Sequence, residues 1–223
     1  MHTPTLGILM LDTNFHRPKG DIGNPETFPF SVEFKIVKKA TIERVVKMED
    51  SALIEPFVQS ARHLQDKGVK VITTSCGFLS LFQQEIQSKL HVPFYSSSLM
   101  QIPLVYMLTG GKVGVLTARK SSLTKKHLEG VNAHHTPVVI QGMDHMPAFT
   151  EAIVNETDTL DMEKVSVEMR QAVTRLIDNH PDVRSIILEC TNMPPYRSAL
   201  REVTDLPIFD ILTLSRYVVG SIL

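Results

Sequence analysis

Only two residues in this 223-residue sequence carry a thiol, Cys76 and Cys190, and their surroundings match. Val69-Lys-Val-Ile-Thr-Thr-Ser-Cys76 aligns with Val183-Arg-Ser-Ile-Ile-Leu-Glu-Cys190, 114 positions further on. Val92-Pro-Phe94 and Leu206-Pro-Ile208 keep the same spacing, Leu79 and Phe82 pair with Met193 and Tyr196, and Gly7-Ile-Leu resembles Gly114-Val-Leu at an offset of 107. Any two strand-helix-strand units share a hydrophobic pattern, but that does not place both cysteines at the same step of it. A reduced cysteine alone is more often a small buried hydrophobe than a reactive group. The pair is different: each sits at the carboxyl end of a strand, where open α/β sheets put their ligand crevices, and two related halves would turn the thiols toward one substrate.

The chemistry that two facing thiols suit is inversion of a carbon next to a carboxylate. One base cannot easily remove a proton from one face and return one to the other; a thiolate and a thiol on opposite sides can, and they exchange roles with the enantiomer bound. No metal or organic cofactor is required. Each cysteine is expected at a helix start, where free N–H groups lower a thiol below its usual pKa of about 8.5. The carbanion needs oriented donors and exclusion of water, for which Ser75, Thr117 and Thr191 are candidates. No metal site is expected, because His134-His135 and His145 lack ligand spacing. Gly110-Gly111-Lys112 lacks the remaining residues of a phosphate loop and reads as the turn between halves.

The elements that must position these groups alternate. Strands are predicted at Leu6 to Leu11, Val32 to Val37, Val69 to Thr74, Val92 to Tyr95, Lys112 to Thr117 and Val138 to Gln141, from short apolar or alternating runs. Helical spacing runs from Ser51 to Leu64 with Gly68 as C-cap, from Phe78 to Leu90, from Leu123 to Leu128, and from about Asp161 to Asn179. Asp210 reads as the N-cap of a helix over Leu212 to Leu223. This order predicts an α/β protein of two pseudo-symmetric parallel-sheet domains with the site in the crevice between them. Residues 1–109 form the half carrying Cys76, 110–209 the half carrying Cys190, and 210–223 a helix returning to the first half. The loop from Asn14 to Phe30 is long enough to suggest a lid, with Arg17 and Lys19 placed to clamp an acid group.

Composition narrows the partners. The 43% apolar content supplies a core, and 23 basic against 24 acidic residues leave no field favouring nucleic acid or an anionic membrane. No apolar run approaches a membrane span, and the first eleven residues lack a basic, apolar leader, so a cytoplasmic location and reduced thiols are expected. The expected partner is a small-molecule carboxylate, and a homo-oligomer is compatible with the composition.

Thr73-Thr-Ser-Cys-Gly-Phe78 and Leu188-Glu-Cys-Thr-Asn-Met-Pro194 resemble the two cysteine segments of the aspartate/glutamate racemase superfamily, which includes hydantoin racemase, maleate isomerase and arylmalonate decarboxylase. Gly7-Ile-Leu-Met-Leu-Asp12-Thr13 is similar to the family's first strand with its Asp-Ser pair, and Val113-Gly-Val-Leu-Thr117 to the strand opening its second half. The resemblance extends over nearly the whole chain. It implies a cofactor-independent racemase or epimerase acting on an amino acid or related acid, with Cys76 and Cys190 as the acid/base pair. Asp12, Thr13, Ser75, Gly77, Phe78, Thr117, Thr191 and Asn192 would surround the substrate. Gly77-Phe78 stands where glutamate racemases have Asn-Thr, and Asn192 where they have His, which implies a less polar pocket and a substrate other than glutamate. Two thiols argue against a decarboxylase, which keeps one. Hydantoin racemisation, maleate-type cis-trans isomerisation and non-catalytic ligand binding are the alternatives.

Overall fold

A computed structural model describes residues 5–157 and 160–222. Four parallel strands make the first sheet: β1 (Leu6–Met10), β2 (Val32–Ile36), β3 (Val71–Thr74) and β4 (Phe94–Tyr95), in the spatial order β2-β1-β3-β4. The helices between and after them are α1 (Ile54–Asp66), α2 (Gln83–Gln87) and α3 (Ile102–Thr109). The second sheet repeats the plan with β5 (Lys112–Thr117), β6 (Val138–Gly142), β7 (Val183–Leu188) and β8 (Ile208–Phe209), in the order β6-β5-β7-β8. It carries α4 (Lys125–Gly130), α5 (Pro147–Phe149), α6 (Met162–Asn179), α7 (Arg197–Leu200) and finally α8 (Ile211–Gly220). The predicted α/β class with two parallel sheets is what forms.

The repeat survives at atomic detail. A Cβ built on Gly7 would come within 3.0 Å of Leu64 and 3.2 Å of Val69; one on Gly114 would come within 2.7 Å of Leu176 and 3.2 Å of Val183. In both halves, then, a central strand is bare where a later helix, α1 or α6, and the residue leading into or starting the next inner strand press on it. Both glycines serve close packing. The apolar stripe of α6, Val165, Met169, Ala172, Val173 and Leu176, is fully buried, and Asp161 caps it by accepting from the Lys164 amide at 3.1 Å.

One apolar core runs through both halves, joining Leu9, Phe57, Ile72 and Leu79 to Val113, Val115, Leu128 and Ile187. A second fills the far side of the second sheet. The third lies on the other face of the first sheet, where Ile211, Leu212, Leu214 and Val219 of α8 cover Leu6, Ile8, Met10 and Val71. There the Tyr95 hydroxyl donates to Ser215 Oγ at 2.8 Å. Asp210 starts α8 by accepting from the Thr213 amide at 2.8 Å while Thr213 Oγ1 accepts from the Asp210 amide at 2.9 Å, a reciprocal cap. Leu223, to which that helix was expected to run, lies outside the described residues.

Three elements depart from the periodicity. The segment after Cys76 is not one helix but a tight 3-10 run, Gly77–Phe82, followed by the short α2. Phe78, Leu79 and Phe82 all point inward there, and the Ser80 carbonyl lies against Gly130, where a Cβ would meet it at 2.2 Å. Close contact with α4 therefore favours the narrower helix. α4 starts at Lys125 rather than Leu123 because Thr124 is its N-cap, sharing a capping box with His127. β1 ends at Met10, one residue short of the apolar run, and Leu11 N–H turns to Ser75 Oγ instead.

Candidate active site

β1 and β3 end side by side, as do β5 and β7, and the two pairs of ends meet across one cavity of about 50 Å³. From the first half it is lined by Leu11, Thr13, Phe15, Arg17, Ile42, Val46 and the run Ser75 to Phe78. From the second it receives Ala118, Arg119, Ile153, Val154, Glu189, Cys190 and Asn192. Both thiols thus border the same small, mostly apolar space, and neither is in a disulfide. A larger groove along α6 contains neither cysteine.

The backbone frames of the two thiols are equivalent. Ser75 N–H donates to the Leu9 carbonyl at 2.9 Å, and Glu189 N–H donates to the Leu116 carbonyl at 2.8 Å. The halves then lock across the cavity floor. Thr191 Oγ1 donates to the Ser75 carbonyl at 2.6 Å, and Gly77 lies so close to Glu189 that a Cβ would come within 2.4 Å of its carbonyl oxygen and 2.2 Å of Oε1. Only glycine fits there.

The side chains are not equivalent. Cys76 is partly exposed to the cavity, with the Phe78 and Leu79 amides and the Arg17 guanidinium favouring its thiolate. Burial and the nearby Glu189 carboxyl outweigh them and push the thiol up to about 12. Cys190 is buried and is pushed well above its ordinary value by burial, by Glu189, by Cys76 and by Asp21, with the Asn192 amide opposing. Its Sγ–H donates to Asn192 Oδ1 at 3.4 Å. The expectation that helix starts would lower both thiols is therefore corrected. A six-residue 3-10 run is all that follows Cys76, the next helical turn after Cys190 begins only at Pro194, and dehydration dominates both sites.

The long loop after β1 is pinned rather than draped over the surface. Arg17 Nη1 bonds Asp21 Oδ1 at 2.9 Å and its Nη2 bonds Thr13 Oγ1 at 3.0 Å, while its carbon Cζ stands 4.3 Å from the Phe15 ring. Asp21 is buried, and its other oxygen accepts from Asn192 Nδ2 at 2.6 Å. The loop thereby ties the first half to the Cys190 segment and holds a guanidinium at the cavity wall. Arg119 supplies a second.

Of the residues proposed from sequence, Cys76, Cys190, Thr13, Arg17, Ser75, Gly77, Phe78 and Asn192 converge on the cavity. Thr117 and Thr191 do not line it: both are buried, and their hydroxyls are given to Glu189 and to the Ser75 carbonyl. Asp12 does not reach it: the side chain is exposed and accepts from the Lys39 amide at 2.9 Å. Lys19 is exposed and is not part of the lining. Sequence reasoning passed over Asp21, Arg119 and above all Glu189. Glu189 is fully buried, accepts from the Thr117 hydroxyl at 2.7 Å through Oε2, and leaves Oε1 without a partner. Burial raises its carboxyl to about 7 against the pull of Thr117 and the Ala118 amide. The signal was available: a charged residue directly after the apolar end of β7, Ile186 to Leu188, and beside one of the two cysteines.

Among the described residues no cluster of metal-ligating side chains occurs, and no helix is long and apolar enough to cross a membrane. The sequence profile of the family described as Asp/Glu/Hydantoin racemase matches residues 38–215. The chain belongs to this family. The chain is 32% identical over 217 residues to a dimethylsulfoniopropionate lyase of Durusdinium sp. clade D, covering 93% of this chain and 71% of that protein. It is 31% identical to dimethylsulfoniopropionate lyase 7 of Emiliania huxleyi, covering 94% of this chain and 64% of the relative. The chain thus spans about two thirds of the length of these relatives. An aspartate racemase homologue of Pyrococcus horikoshii shares the fold with a TM-score of 0.57 at 14% identity, over 93% of both chains.

Proposed function

We propose that this protein removes a proton from the carbon next to a carboxylate with the Cys76 thiolate, and that its substrate carries a leaving group one carbon further on, so that the reaction is a β-elimination. Dimethylsulfoniopropionate, a propionate with a sulfonium on its β-carbon, fits this scheme. The α-proton passes to Cys76, its electron pair forms the Cα–Cβ double bond, and the C–S bond breaks with its pair leaving on dimethyl sulfide. Acrylate remains.

The observation that carries this reading is the inequality of two thiols on one cavity. Glu189 opposes a thiolate at both, but Cys76 has a guanidinium and two amides to support a negative charge, whereas Cys190 has one amide and the added opposition of Asp21. An elimination needs one base; a racemase working in both directions needs two of comparable strength. The similarity to lyases over 93–94% of the chain supports the same outcome. The apolar wall of Leu11, Ile42, Val46 and Ile153, with the Phe78 ring, suits S-methyl groups and a positive sulfur. Arg17 and Arg119 are the cations available to a carboxylate.

The two-thiol inversion of an α-carbon in an amino acid or related carboxylate is the second reading, favoured by both sulfurs bordering the cavity. The two reactions share proton abstraction and diverge at the carbanion. The test is direct: incubation with dimethylsulfoniopropionate should release dimethyl sulfide and acrylate in equal amounts, and amino acids and hydantoins in D2O should show no α-proton exchange. Exchange and inversion without elimination would replace the lyase by the racemase.

A further inference from the structure

Glu189 has no assigned task in the scheme above, yet no ionisable group is placed more intimately between the thiols. Its chain begins beside Cys190 and its Oε1 ends against Gly77, beside Cys76. It is fully buried and belongs to the cavity lining, and while Thr117 satisfies Oε2, Oε1 lies beside Gly77 with no hydrogen-bond partner. A buried oxygen without a partner is costly and marks a place where a group is expected to arrive.

The charges around it decide what that group meets. Arg17 lines the cavity from the loop after β1, but it is paired at 2.9 Å with the buried Asp21 behind it in the same loop. Arg119 follows β5, Cys76 follows β3, and Cys190 is the next residue in the segment after β7. A substrate carboxylate and the Cys76 thiolate each bring a negative charge into this enclosed space. An ionised Glu189 would add a third within contact of both, whereas a protonated one is a donor.

We propose that Glu189 acts as a neutral carboxylic acid whose Oε1–H is donated to the carboxylate of the bound substrate, holding it between the two thiols and sharing the charge that builds on it as the α-proton leaves. This rests on the reading that the cavity takes a carboxylate, and it holds for elimination and inversion alike. The burial that lifts the free carboxyl to about 7 prepares it for this role, and the arriving carboxylate lifts it further.

Propionate is a suitable probe, because it has the carboxylate and no leaving group. Titration calorimetry in buffers of different ionisation enthalpy counts the protons taken up on binding. The native protein should take up close to one proton at about pH 8 and almost none at about pH 5.5, and its propionate affinity should fall about tenfold between pH 6 and pH 8. Glu189→Gln keeps the size and the acceptor for Thr117; it should bind propionate with no uptake and no such pH dependence. Thr117→Val removes the hydroxyl that favours the carboxylate, so its uptake should persist to higher pH. Propionate binding without proton uptake, or uptake unchanged in Glu189→Gln, would overturn the role of Glu189 and leave the carboxylate cavity standing. Failure of propionate to bind at any pH would remove the carboxylate reading and this proposal with it.

Discussion

Set side by side, Ser75-Cys76-Gly77-Phe78 and Glu189-Cys190-Thr191-Asn192 occupy the same steps of the repeat and do different work. Ser75 Oγ accepts the Leu11 amide at 2.9 Å; its counterpart Glu189 is favoured by the Ala118 amide but carries a carboxyl that crosses to Gly77 of the other half. Gly77 is bare to admit that carboxyl, while Thr191 uses its side chain to reach back to Ser75. The backbone keeps two thiols on one cavity, and the side chains then surround them unequally, with Arg17 beside Cys76 and Asp21 beside Cys190. Duplication of a fold is therefore no guarantee of duplicated chemistry: the symmetry resides in strand register and the function in the few positions that break it.

The comparison is most easily broken at Gly77. Gly77→Ala forces a Cβ onto the Glu189 backbone and should cost about 3 kcal/mol or more in urea unfolding, because neither strand end can retreat without its sheet. Glu189 offers a test of nearly the same size through pH. Its folded pKa of about 7 lies above the usual 4.5, so the native state holds a proton that the unfolded chain releases, and stability declines as pH rises from 4.5 through 7. The decline amounts to about 3 kcal/mol. In Glu189→Gln this part of the pH dependence should vanish, leaving the variant the more stable protein above pH 7 by comparison of the two unfolding series. Thr191→Ala loses the bond that closes the opposite side of the cavity floor and should cost about 1–2 kcal/mol by the same measurement. Asp12→Ala, outside the cavity, should leave dimethyl sulfide release within about twofold, as expected for a residue that touches no substrate.

Much of this arrangement was legible in the residues. Parallel α/β order followed from alternating apolar runs, and the matched cysteine segments pointed to one shared site before any coordinate was considered. Local periodicity failed where tertiary contact took over. The segment after Cys76 has helical spacing but is squeezed into a 3-10 run against Gly130. The thiols look activated when judged by helix starts alone, yet dehydration by residues distant in sequence raises both. Asp12 sits at the end of β1 like a site residue, but the chain turns there and Lys39 takes its carboxylate. Glu189 stands in the Leu188 to Pro194 motif with no role legible from sequence, since only the folded chain reveals that its carboxyl crosses to Gly77 and that Oε1 is left over.

The claim on which the account turns is that Cys76 alone is the base. Rates of dimethyl sulfide release by Cys76→Ser and Cys190→Ser, measured under one set of conditions with folding confirmed by circular dichroism, test it most directly. Cys76→Ser should lose about 10³-fold or more, and Cys190→Ser less than about a hundredfold. Equal losses in the two variants, or the greater loss in Cys190→Ser, would contradict it.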